Sequence, residues 1–410
     1  MSTFDELWAQ LAPIGLWPAT GGYRRFAYSA AELECRAWFV EQATALGLQC
    51  ERDRNGNLWA WWIPPGIDAK QPALAIGSHL DSVPDGGAFD GPLGVVSSLA
   101  AISSLQDKGF APSRPVVVAV FADEEGARFG IACAGSRLMT GQLTAERARG
   151  LVGRDGVTMA EAMRAAGLDP AALGQDRELL ARLGEYVELH IEQGRSLVDD
   201  EAALGVATAI WPHGRYRYTF TGVADHAVTT SMRDRREPLS ALAHTVLAAE
   251  AAAKASASRA TFGRIEVEPN GTNAIPSAVR AWLDARAADA DTLAELLGTI
   301  EGAARAAAEA SGVGVELVIE SETAIVAFDA ALRDRVQLAA VQALGGAVVP
   351  LLPTGAGHDA GILASHGLPT AMLFVRNRTG ISHSPSESAD RADCLLGVDA
   401  LEAVVRELAG

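Results

Sequence analysis

Apolar runs that alternate with helical patterns are the feature that most constrains the fold of this chain. Residues 72–77 and 115–121 are almost wholly apolar and short, which is typical of buried strands. Between them, residues 93–105 repeat apolar side chains at the period of a helix. A strand, a crossover helix and a second strand predict a parallel sheet, because parallel neighbours need a long connection. We therefore expect an α/β fold built on a mostly parallel sheet.

The pattern changes near residue 209. Alternating and helical segments then follow in the order β-α-β-β-α-β, which is the order of a ferredoxin-like unit with an antiparallel sheet. Near residue 324 the alternation of helices and strands returns. We predict one sheet domain formed by residues 1–208 and 324–410, interrupted by an inserted lid domain at residues 209–323.

Composition and charge exclude several classes of partner. With 49% hydrophobic and 21% charged residues the chain is globular, and no apolar run approaches the roughly 18 residues of a membrane span. A net charge of -17 disfavours binding to nucleic acid or anionic membranes. The first residues lack the basic and apolar regions of a signal peptide, so we expect a cytoplasmic protein. An anionic small-molecule substrate would need locally placed arginines.

The first cluster of candidate ligands follows the first apolar run. His79 and Asp81 lie in G-S-H-L-D-S, and Asp90 lies in F-D-G-P-L-G. His79 can bind a metal through one imidazole nitrogen while Asp81, on the same side of an extended chain, holds the other N–H. Asp90 lies in a turn, where its two oxygens can bridge two cations. A capped turn with a surface histidine is the alternative for this cluster.

Three further clusters lie at predicted junctions of strand and loop. Glu124 and Glu125 are adjacent on an extended chain and so point to opposite sides, which lets one bind metal and the other act as a general base. A solvated acidic turn is the alternative. His190 and Gln193 lie in E-L-H-I-E-Q-G, and His383 lies in G-I-S-H-S-P. Together with the first cluster, these residues supply the nitrogen and oxygen ligands of a two-metal hydrolase.

In order and spacing, these motifs resemble the di-metal aminoacylase and aminopeptidase type of amidohydrolase over nearly the whole chain. The branch that they resemble contains N-carbamoyl-L-amino-acid hydrolases, bacterial β-ureidopropionases and allantoate amidohydrolases. The resemblance implies two divalent metal ions per subunit, with zinc favoured over manganese, cobalt or nickel. One metal would bind His79 and His190, the other would bind Glu125 and His383, and Asp90 would bridge them.

The same resemblance assigns roles beyond the ligands. Glu124 would be the general base, and the lid would pair two subunits into a homodimer and place His226 over the metals. The residues that bind the substrate would be Gln193, Asn273, Arg286 and Gly357, with Asp81 and His358 behind the ligands. An ion pair with a neighbouring acid is the alternative for Arg286. The loop after His226 departs from the family's H-A-G-T-T-P-M at Val228 and Ser231, so its conformation or the pocket shape is expected to differ.

Three functions compete for these residues. The first is hydrolysis of a non-peptide C–N bond in a ureido or N-carbamoyl amino acid, such as allantoate or an N-carbamoyl-L-amino acid. The second is a hydrolase of N-formyl or N-acyl amino acids, or a dipeptidase, with the same metal ligands. The third is an inactive dimeric binding protein, which would be expected to have lost ligands. The motif around His190 and the N-x-x-N motif of the lid favour the first.

Overall fold

The computed structural model describes residues 3–410, which form two compact units. The larger unit contains the described chain up to Thr208 together with Ala327–Gly410, and the smaller unit is Ala209–Val326. Each unit has its own sheet and its own apolar core. Among the helices of residues 3–410, none combines the length and the apolar character that a bilayer crossing requires.

The first part of the larger unit runs from residue 3 to Thr208, which lies within its last strand. Its strands are β1 (Leu16–Trp17), β2 (Gly22–Tyr23), β3 (Gln49–Arg52), β4 (Leu58–Trp62), β5 (Ala73–His79), β6 (Val116–Phe121), β7 (Leu183–Ile191) and β8 (Leu204–Ile210). Its helices are α1 (Thr3–Leu11), α2 (Ala30–Ala45), α3 (Pro92–Asp107), α4 (Ala134–Thr140), α5 (Ala145–Arg149), α6 (Met159–Ala165), α7 (Arg177–Leu180) and α8 (Ser196–Asp199), with a 3₁₀ turn at Pro170–Ala172.

The smaller unit is an antiparallel sheet covered by two helices. Its elements are β9 (His213–Thr221), β10 (Asp225–His226), a 3₁₀ turn at Met232–Asp234, α9 (Pro238–Ala255), β11 (Arg259–Glu268), β12 (Ala274–Ile275), β13 (Ala278–Arg286), α10 (Ala290–Ala310) and β14 (Gly314–Thr323). Four of the strands form one sheet in the order β11-β13-β9-β14. Alternate residues of β9, including Tyr216, Tyr218 and Phe220, enter the core beneath the helices.

The last part of the chain completes the larger unit. Its elements are β15 (Val326–Ala327), α11 (Ala330–Ala343), β16 (Leu351–Thr354), α12 (Asp359–His366), β17 (Thr370–Val375) and α13 (Arg391–Ala409). The main sheet has the order β15-β8-β17-β7-β5-β6-β4-β3, and β16 pairs with β8. Strands β17, β7, β5 and β6 are mutually parallel, whereas β8, β4 and β3 pair antiparallel. The predicted mostly parallel α/β sheet is confirmed.

The parallel strands bring their carboxyl ends to one edge of the sheet. Strands β5 and β6 are buried along their whole length, and β7 is buried over its last six residues. Burial on both faces explains their near-continuous apolar sequence. His79 ends β5, and the acidic turn that contains Glu124 follows β6. In open sheets of this type, sites form at the carboxyl ends of the strands.

Gly77 of β5 lies opposite Ala119 of β6. A Cβ on Gly77 would lie 2.0 Å from the carbonyl oxygen of Ala119, and its φ of +138° is rarely adopted by other residues. We expect Gly77→Ala to lower the free energy of unfolding by roughly 2–4 kcal/mol through overpacking and backbone strain. Gly298→Ala is the control, because Gly298 lies inside α10 with no atom within 4 Å of an added Cβ. Denaturant titration measures both, and an unchanged midpoint for Gly77→Ala would contradict the prediction.

Candidate metal centre

Three side chains from separate segments form the first group of ligand atoms. His79 ends β5, His190 lies near the end of β7, and Asp90 precedes α3. Asp90 Oδ1 lies 3.2 Å from His190 Nε2 and 3.6 Å from His79 Nε2. All three side chains are buried, and one ligand atom from each lies within 4.8 Å of the others. Two imidazole nitrogens and a carboxylate oxygen at this separation match the donor set of a divalent transition metal.

The second group shares Asp90 with the first. Asp90 Oδ2 lies 3.3 Å from His383 Nε2, and Glu125 Oε2 lies 3.4 Å from the same nitrogen. One ligand atom each from Asp90, Glu125 and His383 again lies within 4.8 Å of the others. His383 is about half exposed, with 51% of its side-chain surface accessible. The two oxygens of Asp90 therefore face different groups of ligand atoms.

The two buried histidines present one ring nitrogen each without a hydrogen-bond partner. His79 Nδ1 lies 3.2 Å from the carbonyl oxygen of Asp81 and 3.5 Å from its Oδ1. His190 Nδ1 lies 2.8 Å from the carbonyl oxygen of Ile191. The opposite atoms, His79 Nε2 and His190 Nε2, are buried and have no hydrogen-bond partner. A buried nitrogen without a partner is costly, so these lone pairs fit a metal ion.

Asp81 has a second role that the sequence pattern does not predict. Its Oδ1 accepts the backbone N–H of Glu124 at 3.1 Å, and its Oδ2 accepts that of Glu125 at 3.0 Å. The carboxylate thus holds the whole acidic turn, in addition to lying near His79. Glu124 Oε1 also accepts a hydrogen bond from the Cys133 thiol at 3.5 Å. Glu124 Oε2 lies 3.8 Å from His79 Nε2. Both oxygens of Glu124 are therefore placed by their surroundings.

The ionisable groups of the centre perturb one another. Burial acts to lower the pKa of His79, but Glu124 and the neighbouring aspartates outweigh it and raise that pKa well above its usual range. Burial also opposes ionisation of Asp90, but the close contacts with His190, His383 and His79 hold the pKa of that carboxyl well below its usual range. A hydrogen bond with Asp90 raises the pKa of His383 to about 9. Burial raises the pKa of Glu125 to about 8 and that of Glu124 well above its usual range. Such clusters of perturbed groups mark functional sites.

His358 lies against His190, a residue of the first group. Its ring centroid is 4.6 Å from that of His190, and it is 2% exposed. Neither of its ring nitrogens has a hydrogen-bond partner, and burial, followed by the charge of His190, lowers its pKa well below the usual range. Glu188 joins these two histidines within ligand distance. Glu188 was not predicted, although its position two residues before His190 places it on the same side of β7.

Of the predicted substrate-binding residues in the larger unit, Gln193 contacts the centre directly. Its Nε2 donates to Asp90 Oδ2 at 2.7 Å and lies 3.5 Å from His383 Nε2, while its Oε1 is buried without a partner. Gly357 is exposed in the loop before α12, immediately before His358. Gln193 thus places an amide beside the second group of ligand atoms.

Glu387 and Ser382 are contacts of the centre that the sequence pattern did not predict. Glu387 Oε1 accepts the backbone N–H groups of Phe89 at 2.8 Å and Asp90 at 3.0 Å. The Ser382 hydroxyl lies 3.3 Å from Asp90 Oδ2 and 3.4 Å from Glu387 Oε2. The partners of Glu387 lie almost 300 residues away in sequence, so no local pattern indicates these contacts.

In the smaller unit, His226 and Asn273 lie on neighbouring segments. His226 pairs with Ala274 in the two-stranded ladder of β10 and β12, and the Asn273 carbonyl accepts the N–H of Ala227 at 3.0 Å. His226 Nδ1 accepts the backbone N–H of Val228 at 3.1 Å. Val228 is not among the described residues that have a positive φ, so valine fits this backbone without strain.

Arg286 lies at the end of β13 and is paired with an acid. Its Nε donates to Asp284 Oδ1 at 2.8 Å and its Nη2 to Asp284 Oδ2 at 3.0 Å. The ion pair that the sequence left open as an alternative is therefore present in this structure. About a quarter of the Arg286 side chain stays accessible.

Comparisons with known proteins identify the family to which this chain belongs. Residues 75–407 match the model of peptidase family M20/M25/M40, a range that includes every candidate ligand. The chain is 35% identical to the N-carbamoyl-L-amino acid amidohydrolase of Geobacillus stearothermophilus, over 99% of this chain and 98% of that protein. It is 32% identical to the allantoate amidohydrolase of Escherichia coli K12, over 99% and 97% of the two chains.

A solved structure gives the same result for the fold. The amidase of the hydantoinase/carbamoylase family from Burkholderia vietnamiensis superimposes with a TM-score of 0.85 and 32% identity, covering 99% of this chain and 98% of that chain. The resemblance inferred from the motifs is confirmed, and enzymes of this family depend on metals, for which the described chain holds candidate ligands. The chain belongs to peptidase family M20/M25/M40.

Proposed function

We propose that this protein is a two-metal amidohydrolase that cleaves a non-peptide C–N bond in an N-carbamoyl amino acid or in allantoate. The convergence of three histidines on the two oxygens of Asp90 carries the proposal. The relatives named for N-carbamoyl-L-amino acids and allantoate match over nearly their full lengths, which supports this class of substrate. An inactive binding protein would have no need of buried histidines that present unpartnered nitrogens.

The ligand groups divide between two cations in this proposal. His79 and His190 would hold one ion, Glu125 and His383 would hold the other, and Asp90 would bridge them. When bound, a pair of divalent ions lowers the pKa of water toward about 7 and polarises a carbonyl group. Zinc is our first choice among the metals that imidazole and carboxylate ligands accept, with manganese, cobalt and nickel as alternatives.

Glu124 would carry the proton in the reaction. Its Oε2 lies 3.8 Å from His79 Nε2, which belongs to the first group of ligand atoms. Its Oε1 accepts a hydrogen bond from the Cys133 thiol. A carboxylate in this position can take a proton from the attacking water and deliver it to the leaving nitrogen. Asp81 would fix the base by accepting the consecutive backbone N–H groups of Glu124 and Glu125. Gln193 and Gly357 would orient the scissile group from the same unit.

The smaller unit would complete the site as a lid. Its strand order, with β9 and β13 at the centre, supports a ferredoxin-like domain. We propose that it joins two cytoplasmic subunits in a homodimer and supplies His226, which would stabilise negative charge on the substrate. Asn273 and Arg286 would bind the carboxylate of the substrate, with Arg286 exchanging Asp284 for that carboxylate.

A panel of substrates tests the activity. We expect metal-reconstituted protein to hydrolyse an N-carbamoyl-L-amino acid or allantoate at least about 100-fold more efficiently than N-acetyl amino acids or dipeptides, because a site built for the ureido group leaves polar atoms unpaired with the others. N-formyl amino acids complete the panel. The measurement is kcat/KM for each compound, with chelator-treated protein as the blank. Turnover of dipeptides alone would refute the proposal.

Arg286→Ala tests the carboxylate clamp. We expect KM to rise about 10- to 100-fold with little change in kcat, since a charge-assisted hydrogen bond to the substrate would be lost at every stage of the reaction. Arg264→Ala is the matched control, because Arg264 is an exposed arginine of the same sheet that pairs with Glu266. Steady-state kinetics on the preferred substrate measure both variants. Equal KM values for Arg286→Ala and the control would refute the assignment.

A further inference from the structure

Glu387 connects two segments that both reach the candidate metal centre. It is 6% exposed and lies four residues after His383. One of its oxygens, Oε1, accepts two backbone N–H groups, from Phe89 at 2.8 Å and from Asp90 at 3.0 Å. These two N–H groups lie immediately before Gly91, the residue that caps the amino end of α3. A single carboxylate therefore fixes the backbone from which Asp90 projects.

The other oxygen of Glu387 faces the segment of His383. The Ser382 hydroxyl lies within hydrogen-bond distance of Glu387 Oε2 and of Asp90 Oδ2, at 3.4 and 3.3 Å. Packing is close on the remaining side, because a Cβ on Gly87 would lie 2.3 Å from Glu387 Oε1. The position of this carboxylate is thus set by contacts from both segments.

We propose that Glu387 is a positioning residue of the metal centre, which by accepting the Phe89 and Asp90 amides sets the direction in which Asp90 presents its two oxygens. The inference rests on the proposed function only in taking Asp90 as a metal ligand. Groups that orient ligands in this way commonly affect metal affinity about 10- to 100-fold. Loss of Glu387 would also leave two amides without an acceptor at the start of a buried helix, which frees the turn to move.

Two substitutions separate the acceptor atoms from the charge. Glu387→Gln keeps an oxygen that can accept both amides, whereas Glu387→Ala removes it. We expect Glu387→Ala to weaken zinc binding about 10- to 100-fold and Glu387→Gln to stay within a few-fold of the wild type. Zinc affinity and stoichiometry are measured on the full chain by competition with a chromogenic chelator. Equal losses in the two variants, or no loss in Glu387→Ala, would overturn the proposal.

Asp176→Ala is the control for a general loss of stability. Asp176 is also a buried carboxylate, 7% exposed, that accepts a backbone N–H at a helix start, from Leu179 at 3.1 Å. We expect it to lower the unfolding midpoint of the metal-free protein but to leave zinc affinity unchanged. A loss of affinity in Asp176→Ala as large as that in Glu387→Ala would make the effect one of stability alone and would overturn the proposal.

Gly87→Ala keeps the test decisive if Glu387→Ala does not fold. The added methyl group would lie 2.3 to 2.5 Å from Oε1, Cδ and Cβ of Glu387 and displace this side chain, while all acceptor atoms stay in the protein. We expect zinc affinity to fall as in Glu387→Ala, and wild-type affinity in a folded Gly87→Ala protein would overturn the proposal.

Because the measurement is metal affinity, a wild-type protein that binds two zinc ions but fails the substrate panel would refute the proposed activity and leave this inference standing.

Discussion

Replacing Glu124 by glutamine is expected to reduce hydrolysis by about 10²- to 10⁴-fold while the metal content stays at the wild-type value. Glutamine has nearly the same shape, and its oxygen can still accept the Cys133 thiol that now contacts Glu124 Oε1 at 3.5 Å. It cannot take a proton at neutral pH, so the transfer from water to the leaving nitrogen is lost. Elemental analysis and kcat on the preferred substrate measure the two parts of the prediction.

Asp123→Asn is the matched control for Glu124→Gln. Asp123 is the neighbouring residue, is 1% exposed, and has a pKa that burial raises well above its usual range. Its φ of +54° is one that asparagine adopts readily, so the substitution fits the turn. We expect turnover within a few-fold of the wild type. Retained turnover in Glu124→Gln, or an equal loss in both variants, would remove Glu124 as the base.

Replacing Asp90 by alanine is expected to abolish both metal binding and hydrolysis. Asp90 contributes a ligand atom to both groups, with Oδ1 toward His79 and His190 and Oδ2 toward His383. Its removal therefore weakens both positions at once, unlike the loss of any histidine. Metal at 100 to 1,000 times its Kd should stabilise the wild-type protein by about 3–4 kcal/mol, and this gain should vanish in Asp90→Ala. Unfolding curves with and without zinc measure it.

Asp85→Ala is the control for the Asp90 loop. Asp85 lies five residues earlier, pairs with Arg24 at 2.9 Å and supplies no ligand atom to either group. We expect it to bind two metal ions and to keep its stabilisation by zinc. Retention of one ion in Asp90→Ala would show that Asp90 serves a single position, and retention of two with wild-type affinity would refute its role as a ligand.

Much of the site could be predicted because it depends on local pattern. Buried parallel strands read as short apolar runs, so β5, β6 and β7 were recognisable, and the polar residue that ends such a run lies at a sheet edge. His79 and His190 stand at such ends. The motif spacing, matched to a known family, added Asp90 and His383, which lie in loops where periodicity says nothing. The antiparallel strand β3 lies at the edge of the sheet and carries no such signal, because it is polar and exposed along its length.

The sequence by itself determined which side chains could bind a metal, because ligand chemistry belongs to the residue type and strand ends follow from the order of apolar and polar residues. Only the tertiary structure decided which oxygen of Asp90 faces which histidine, and that Glu387 accepts the amide of Asp90. These contacts join residues whose approach depends on strand order and loop closure. These contacts can form only after distant segments have been brought together, which costs conformational entropy. No short stretch of sequence therefore encodes them.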